Sequence, residues 1–166
     1  VLFLKGVFQK LNYNKIKNLN LHSPEISNYS AKIAKILKIR LIIKSFQKKY
    51  VFKNKKVVLE GRDMSKIFPE AEVKFFVVCK PLKIAAKRRW LQLRIKNKKI
   101  SLKEVAKDLK KRDFIDKNRK YSKLERHAES VYINTAKLNI NEVLGRMSKQ
   151  IDIVIKKKYG KRTRIK

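Results

Sequence analysis

Cysteine is almost missing from this chain: Cys79 is the only one in 166 residues. A lone cysteine rules out an intrachain disulfide and any multi-cysteine metal site. It lies in the apolar stretch FFVVC and reads as a small buried hydrophobe. Histidine is nearly as scarce. His22 and His127 stand far apart, with no acid or thiol at ligand spacing, so no metal site built from side chains is expected. No apolar run approaches the roughly 18 residues needed to cross a bilayer. The opening VLFLKGVFQK has neither a basic leader nor a small-residue cleavage site. Acids are few as well. Thirteen Asp and Glu face 46 Lys and Arg, leaving a net charge of +33.

Such a field attracts anions: nucleic acid, nucleotides, acidic lipid. Two readings of the charge stand side by side. Lysine far outnumbers arginine, and isoleucine and asparagine abound, a mixture that AT-rich coding produces without any function on solvated faces. The other reading is a non-catalytic basic protein that binds RNA or another polyanion through counterion release. Against the second, Phe75, Phe76 and Trp90 sit in core patterns rather than in an RNA-binding aromatic signature. With 43% hydrophobic residues the chain can bury a core, and its length suits one domain or part of one.

Along the chain, Val1–Leu4 and the stretch after it read as short strands with turns. Ser23-Pro24 opens a helix, with Ser23 as N-cap and Pro24 at the first helical position. From Ile26 to Tyr50 the apolar residues Ile33, Ile36 or Leu37, Leu41 and Phe46 recur at helical spacing, which predicts one long helix. Val57–Leu59 and Val73–Cys79 are short, fully apolar strands of the kind found in a parallel sheet covered on both faces. PLKIAAKRRWLQLRIKNKK, residues 81–99, predicts a helix. Ser101 and Glu104 form a capping-box pattern opening the next one, to about Asp116. The polar stretch KNRKYSKLERHAE reads as a mobile loop, and Val131–Ile133 as a further strand. Asn139, with Glu142 three residues on, caps a last helix to about Lys158, and the tail YGKRTRIK is expected to fray. Strands alternating with helices predict an α/β fold with βαβ connections and a parallel sheet.

Two clusters carry chemistry in this frame. In open α/β sheets ligands bind beyond the carboxyl ends of the strands. Arg62 and Asp63 follow the 57–59 stretch and would point into such a site, or else form a surface ion pair at a turn. In KRDFIDKNR, Arg112, Asp116 and Arg119 fall on one helical face. Two guanidiniums flanking a carboxylate can be plain surface pairing or planar, bidentate phosphate contact. The loop that follows would suit a lid. Arg88 and Arg89 add positive charge upstream.

The order of these motifs resembles the bacterial cytidylate kinases, the CMP/dCMP kinases among the nucleoside monophosphate kinases. The matching segments are VVLEGRDM, FPEAEVKFF, AAKRRWLQL, KKRDFIDKNR and INTAKLNINEVLGRM, spread over about Leu2 to Ile155. The resemblance implies a parallel-sheet P-loop kinase fold that transfers the ATP γ-phosphoryl group to CMP or dCMP with Mg²⁺. By resemblance, Arg40, Asp63 and Arg119 face the cytosine. Arg112 and Asp116 lie near the sugar and phosphates, and Arg62 holds the acceptor phosphate. Arg112 and Arg119 serve as the catalytic cations, and Arg88 and Arg89 are candidates for the ATP and lid side. Residues 1–24 correspond to a remnant of the CMP-binding insert, and 25–166 to the C-terminal part of the kinase core with a lid at about 110–128. A cytoplasmic monomer without a membrane partner is implied, touching nucleic acid only non-specifically through charge.

The sequence departs from the family pattern in places. A Walker A loop, GxxxxGK[ST], is absent, and the only Gly-Lys is Gly160-Lys161 in the tail. The expectation is therefore an incomplete fold, lacking the first strand, the P-loop and its helix, with ATP and Mg²⁺ bound mainly by that missing part. Such a chain would be inactive alone. Ser30-Ala31 transposes a family serine, Ile115 replaces a commonly basic lid residue, and Asn134 replaces an Asp.

Overall fold

The computed structural model describes residues 6–7, 10, 19, 21, 23–34, 36–54, 56–95 and 98–160. The strands expected at Val1–Leu4, most of the 1–24 segment and the tail beyond Gly160 lie outside them. The chain divides into two compact units, Val1–Gly61 with Arg119–Tyr121, and Arg62–Asn118 with Ser122–Lys166.

In the first unit, helix α1 (Pro24–Ile33) begins as its sequence predicts: the Ser23 side chain accepts from the Ile26 N–H at 3.2 Å, and Pro24 occupies the first turn. The single helix expected from Ile26 to Tyr50 is two. Ala34 closes α1 and Ile36 is extended (ψ 110°) before α2 (Leu37–Lys53). The apolar spacing runs unchanged across this break, so periodicity alone could not show it. Arg40, one turn into α2, donates from Nη1 to the Ala34 carbonyl at 3.2 Å and so satisfies a carbonyl at the end of α1.

Val57–Leu59, expected as a buried strand, belongs to no helix or sheet, and Val58 is 97% exposed. A strand exists by virtue of its ladder, and among the described residues nothing pairs with this stretch. The apolar run therefore gave the wrong element. The Arg62-Asp63 pair does not sit at the mouth of a buried strand, but at the entry to the short helix α3 (Met64–Ile67).

The second unit holds the βαβ unit that the sequence predicts: β1 (Phe75–Val78), α4 (Leu82–Arg94), α5 (Leu102–Asn118) and β2 (Val131–Asn134). The two strands are parallel, in register from Phe75 opposite Val131 to Val78 opposite Asn134. Helix α4 stops at Arg94, short of the expected residue 99. The Trp90 indole N–H reaches the Ile100 carbonyl at 3.0 Å across the turn that follows. The capping box at α5 is formed: the Ser101 N–H donates to Glu104, and the Glu104 N–H to Ser101. Ile67 and Phe68, with Ala86 of α4, Val105 of α5 and Ile133 of β2, are buried as the unit's core. Helix α6 (Ile140–Tyr159) opens with the second predicted capping box, Asn139 with Glu142.

The carboxyl ends of the two strands are stitched by Asn134. Its side-chain oxygen accepts from the Lys80 N–H (2.9 Å) and its amide donates to the Lys80 carbonyl (3.0 Å). An aspartate could accept but not donate, so the Asp-to-Asn departure has a structural consequence here. Thr135 adds a third stitch, its hydroxyl donating to the Val78 carbonyl at 3.1 Å. The far end of α6 is tethered by Glu72, which accepts from Lys158 Nζ and the Tyr159 hydroxyl, both at 2.6 Å.

Asn134→Asp removes the donated bond and faces a carboxylate toward the Lys80 carbonyl. A loss of about 1 kcal/mol is expected, a drop of a few degrees in Tm, because an exposed site lets water substitute in part. Thermal melts of the two proteins check this, and an unchanged Tm would contradict the two-way stitch. The α6 tether has a pH signature. Hydrogen bonds from Lys158 and Tyr159 hold the Glu72 carboxyl below its ordinary pKa, and Glu72 raises that of Lys158. The lowered carboxyl stabilises the fold above its unfolded pKa and loses that contribution as pH falls through its folded value. The raised ammonium contributes below its unfolded pKa and loses its share as pH rises through the folded one. The tether is therefore complete between about pH 5 and 10. Both groups are well exposed, so solvent screens the tether and its contribution is small. The Tm gap between wild type and Glu72→Gln should be present at neutral pH and close in acid; a gap that persists there would sink the assignment.

Candidate functional site

The polar centre of the second unit lies where the turn after Gly61 meets the C-terminal turns of α5. Arg62 Nε approaches Asp116 Oδ2 at 3.3 Å, and Nη1 approaches Asp113 Oδ1 at 4.0 Å. The Arg62–Asp116 approach is coulombic rather than a directed hydrogen bond, since Oδ2 meets no donor at bonding geometry. Asp116 is the buried member, with 12% of its side chain exposed against 38% for Arg62 and 44% for Asp113. Asp116 turns inward toward Arg62. Arg112, four residues back, is exposed and pairs with no acid among the described residues.

Asp63 is buried beside this pair, 9% exposed, at the N-cap position of α3. Its backbone carbonyl accepts from the Lys66 and Ile67 N–H groups, while its side chain makes no cap bond to α3. The carboxylate is thus not needed to start that helix. Ile67 and Phe68, buried just after it, fix the turn to the core. A charged side chain is rarely buried without a specific reason, and a buried carboxylate next to a held guanidinium marks a place where a polar ligand could be read.

The segment after α5 was expected to be mobile. It is anchored: the Leu124 N–H donates to the Asp116 carbonyl (2.8 Å), Lys66 pairs with Glu125 (2.6 Å) and Lys74 with Glu129 (2.9 Å). These pairs hold the carboxyls of Glu125 and Glu129 below their ordinary pKa through the lysine hydrogen bonds. The Lys66–Glu125 pair is exposed and individually weak, whereas the Lys74 side chain is buried beneath Glu129.

The other expected site residues are spread more widely. Arg119 follows α5 by one residue, is half-buried, and belongs to the first unit, as does Arg40 on α2. Arg89 on α4 reaches Gln92 at 3.5 Å. Arg88 is committed to backbone. Its Nη2 donates to the carbonyls of Thr135 (2.9 Å), Ala136 (3.3 Å) and Leu138 (3.1 Å), and its Nη1 to the Thr135 hydroxyl (3.4 Å).

Sequence reasoning missed a pocket of about 270 Å³ just beyond the carboxyl ends of β1 and β2. Lys80, Lys137 and Arg146 bring positive charge to it, while Pro81, Ile84 and Leu138 supply an apolar wall. Its location is where a parallel sheet presents ligands. The signal was in the sequence, as the residues immediately following each strand, but the three cations are far apart along the chain. Its chemistry suits an anion that carries an apolar or aromatic part. Among the described residues no group of three or more His, Cys, Asp or Glu side chains is placed to hold a metal ion.

Comparison with known proteins places this geometry in a lineage. The family model described as cytidylate kinase matches residues 6–153. A cytidylate kinase of Thermosipho melanesiensis is 36% identical over 152 residues, covering 91% of this chain and 68% of its own length. One from Clostridium tetani is 34% identical over 145 residues, 87% of this chain and 63% of that protein. One from Fusobacterium nucleatum is 36% identical over 135 residues, 81% and 61% respectively. The chain thus spans a little under two thirds of the length of most of these relatives. Two of the matched motifs, the GRD turn and the RDxxDxxR helix, are the two that meet at the Arg62–Asp116 pair. With nearly the whole chain matched, it belongs to the cytidylate kinase family.

Proposed function

We propose that the protein transfers the ATP γ-phosphoryl group to CMP or dCMP. One observation carries this reading: the buried Asp63 next to an Arg62 whose Nε side is held by Asp116 of α5. The turn offers a carboxylate and a guanidinium together, on a rigid base, in a chain of the cytidylate kinase family. Each group has a physical task. Cytosine carries an amino donor, which a carboxylate accepts; uracil presents a carbonyl there, which a carboxylate repels. Asp116 sits on the Nε edge of Arg62 and Asp113 lies 4.0 Å from Nη1, which leaves Nη2 to turn toward an acceptor phosphate.

Phosphoryl transfer asks mainly for positioning and for cations around the moving group. Arg112 and Arg119 are assigned that task. The exposure of Arg112 and its lack of an acidic partner among the described residues support its availability. Arg40 is assigned to the cytosine side by resemblance. Part of the donor nucleotide is assigned to the pocket beyond β1 and β2, whose Lys80, Lys137 and Arg146 attract an anion and whose apolar wall suits a base. ATP supplies the phosphoryl group when bound there.

The test is made in the full-length protein. Asp63→Ala should lower kcat/KM for CMP by about 10² and for UMP far less, because a site built to bond one group leaves its buried polar atoms unpaired without it. Equal losses on both nucleotides, together with a lowered Tm, would show that Asp63 is structural. Arg112→Ala and Arg119→Ala should each reduce kcat by on the order of 10² if their contacts tighten in the transition state. Wild-type rates in both variants would leave these arginines as solvated surface charge.

A further inference from the structure

Arg88 makes an unusual set of contacts for an arginine on an exposed helix face. Its guanidinium does not pair with an acid. Nη2 lies 2.9 Å from the Thr135 carbonyl, 3.1 Å from that of Leu138 and 3.3 Å from that of Ala136. Those residues form the short connection between β2 and α6, and Ala136, Lys137 and Leu138 line the pocket that also holds Lys80 and Arg146. The connection has other supports at its start: the Thr135 N–H donates to the Val78 carbonyl at 2.8 Å, and the Ala136 N–H to Asn134 Oδ1 at 3.2 Å. At its end the Leu138 N–H closes a turn on the Thr135 carbonyl at 3.1 Å. Arg88 joins start and end by holding three carbonyls to one group.

We infer that Arg88 is a positioning residue for the pocket beyond β1 and β2, acting through the backbone of 135–138 rather than by touching a phosphate. The planar fork of an arginine suits this task because its nitrogens can reach several acceptors without changing rotamer. A phosphate that approached Arg88 would have to displace those carbonyls and so loosen the wall carrying Lys137. The inference rests on the reading that this pocket takes the donor nucleotide. It gives Arg88 a different role from the ATP-facing one its charge suggested.

Two measurements in the full-length protein separate the possibilities. Amide hydrogen exchange in the absence of nucleotide reports the wall directly, and steady-state kinetics report the pocket. In Arg88→Ala, exchange at Thr135, Ala136 and Leu138 should quicken by about tenfold or more, as expected when a charge-assisted bond is lost. The KM for ATP should rise by ~10-fold while the KM for CMP stays the same. Arg88→Lys keeps the charge but ends one bond shorter and lacks the second nitrogen that holds the Thr135 hydroxyl, so it should behave like Ala rather than rescue; it also serves as the test if the alanine variant folds poorly. Unchanged exchange would overturn the positioning role. A raised ATP KM with unchanged exchange, or rescue by lysine, would mean direct contact with the nucleotide and also overturn it. Faster exchange with an unaltered ATP KM would show that the wall is held by Arg88 but the pocket does not take the donor, which overturns the pocket assignment while leaving the acceptor reading at Asp63 intact.

Discussion

The ion pair between Arg62 and Asp116 joins a turn to a helix that is more than 50 residues away in sequence. Without Asp116, Arg62 would be a solvated side chain at a bend, and its direction would be unfixed. With Asp116 3.3 Å from its Nε, the guanidinium is drawn toward α5, and the buried Asp63 is its neighbour in the chain. A half-exposed Arg can keep its charge hydrated while its partner is largely buried, so the pair avoids the full penalty of burying two ions. The same turn leads into Ile67 and Phe68, so the apolar core holds one side of the contact and α5 holds the other. The Lys66–Glu125 pair and the Leu124 bond to the Asp116 carbonyl then set where the chain goes after α5.

A second group of polar contacts organises the opposite task. Asn134 binds Lys80 in both directions, Thr135 reaches Val78, and Arg88 gathers the carbonyls that follow. These bonds fix the carboxyl ends of two parallel strands, which is where a sheet of this kind opens to ligands. The pocket there collects three cations from three separate places in the chain. One unit thus carries a carboxylate–guanidinium pair suited to reading a base and a phosphate, and a cationic pocket suited to a second anion.

Much of the local structure was legible because its causes are local. Ser23-Pro24, Ser101 with Glu104, and Asn139 with Glu142 are caps whose partners lie within three residues, and all three are formed. The parallel pairing of the FFVV and VYIN strands followed from the alternation of elements. What failed depended on distant partners. Val57–Leu59 has the residues of a buried strand and no ladder among the described residues, so composition could not decide it. The break at Ala34–Ile36 keeps apolar spacing and was invisible to a periodicity argument. The approach of Arg62 to Asp116 joins residues more than 50 positions apart, which no local pattern could show. The site motifs themselves were legible only through their order, since each alone fits a plain surface helix or turn.

The central physical claim is that Arg62 and Asp116 hold each other. A double-mutant cycle with Arg62→Ala, Asp116→Ala and the double variant, followed by urea unfolding, measures this directly. A coupling of about 1 kcal/mol or more is expected, above that of an exposed pair, because Asp116 is largely buried against Arg62. Strictly additive losses, with a coupling near zero, would mean that the turn and α5 are fixed independently and that Asp116 does not orient Arg62.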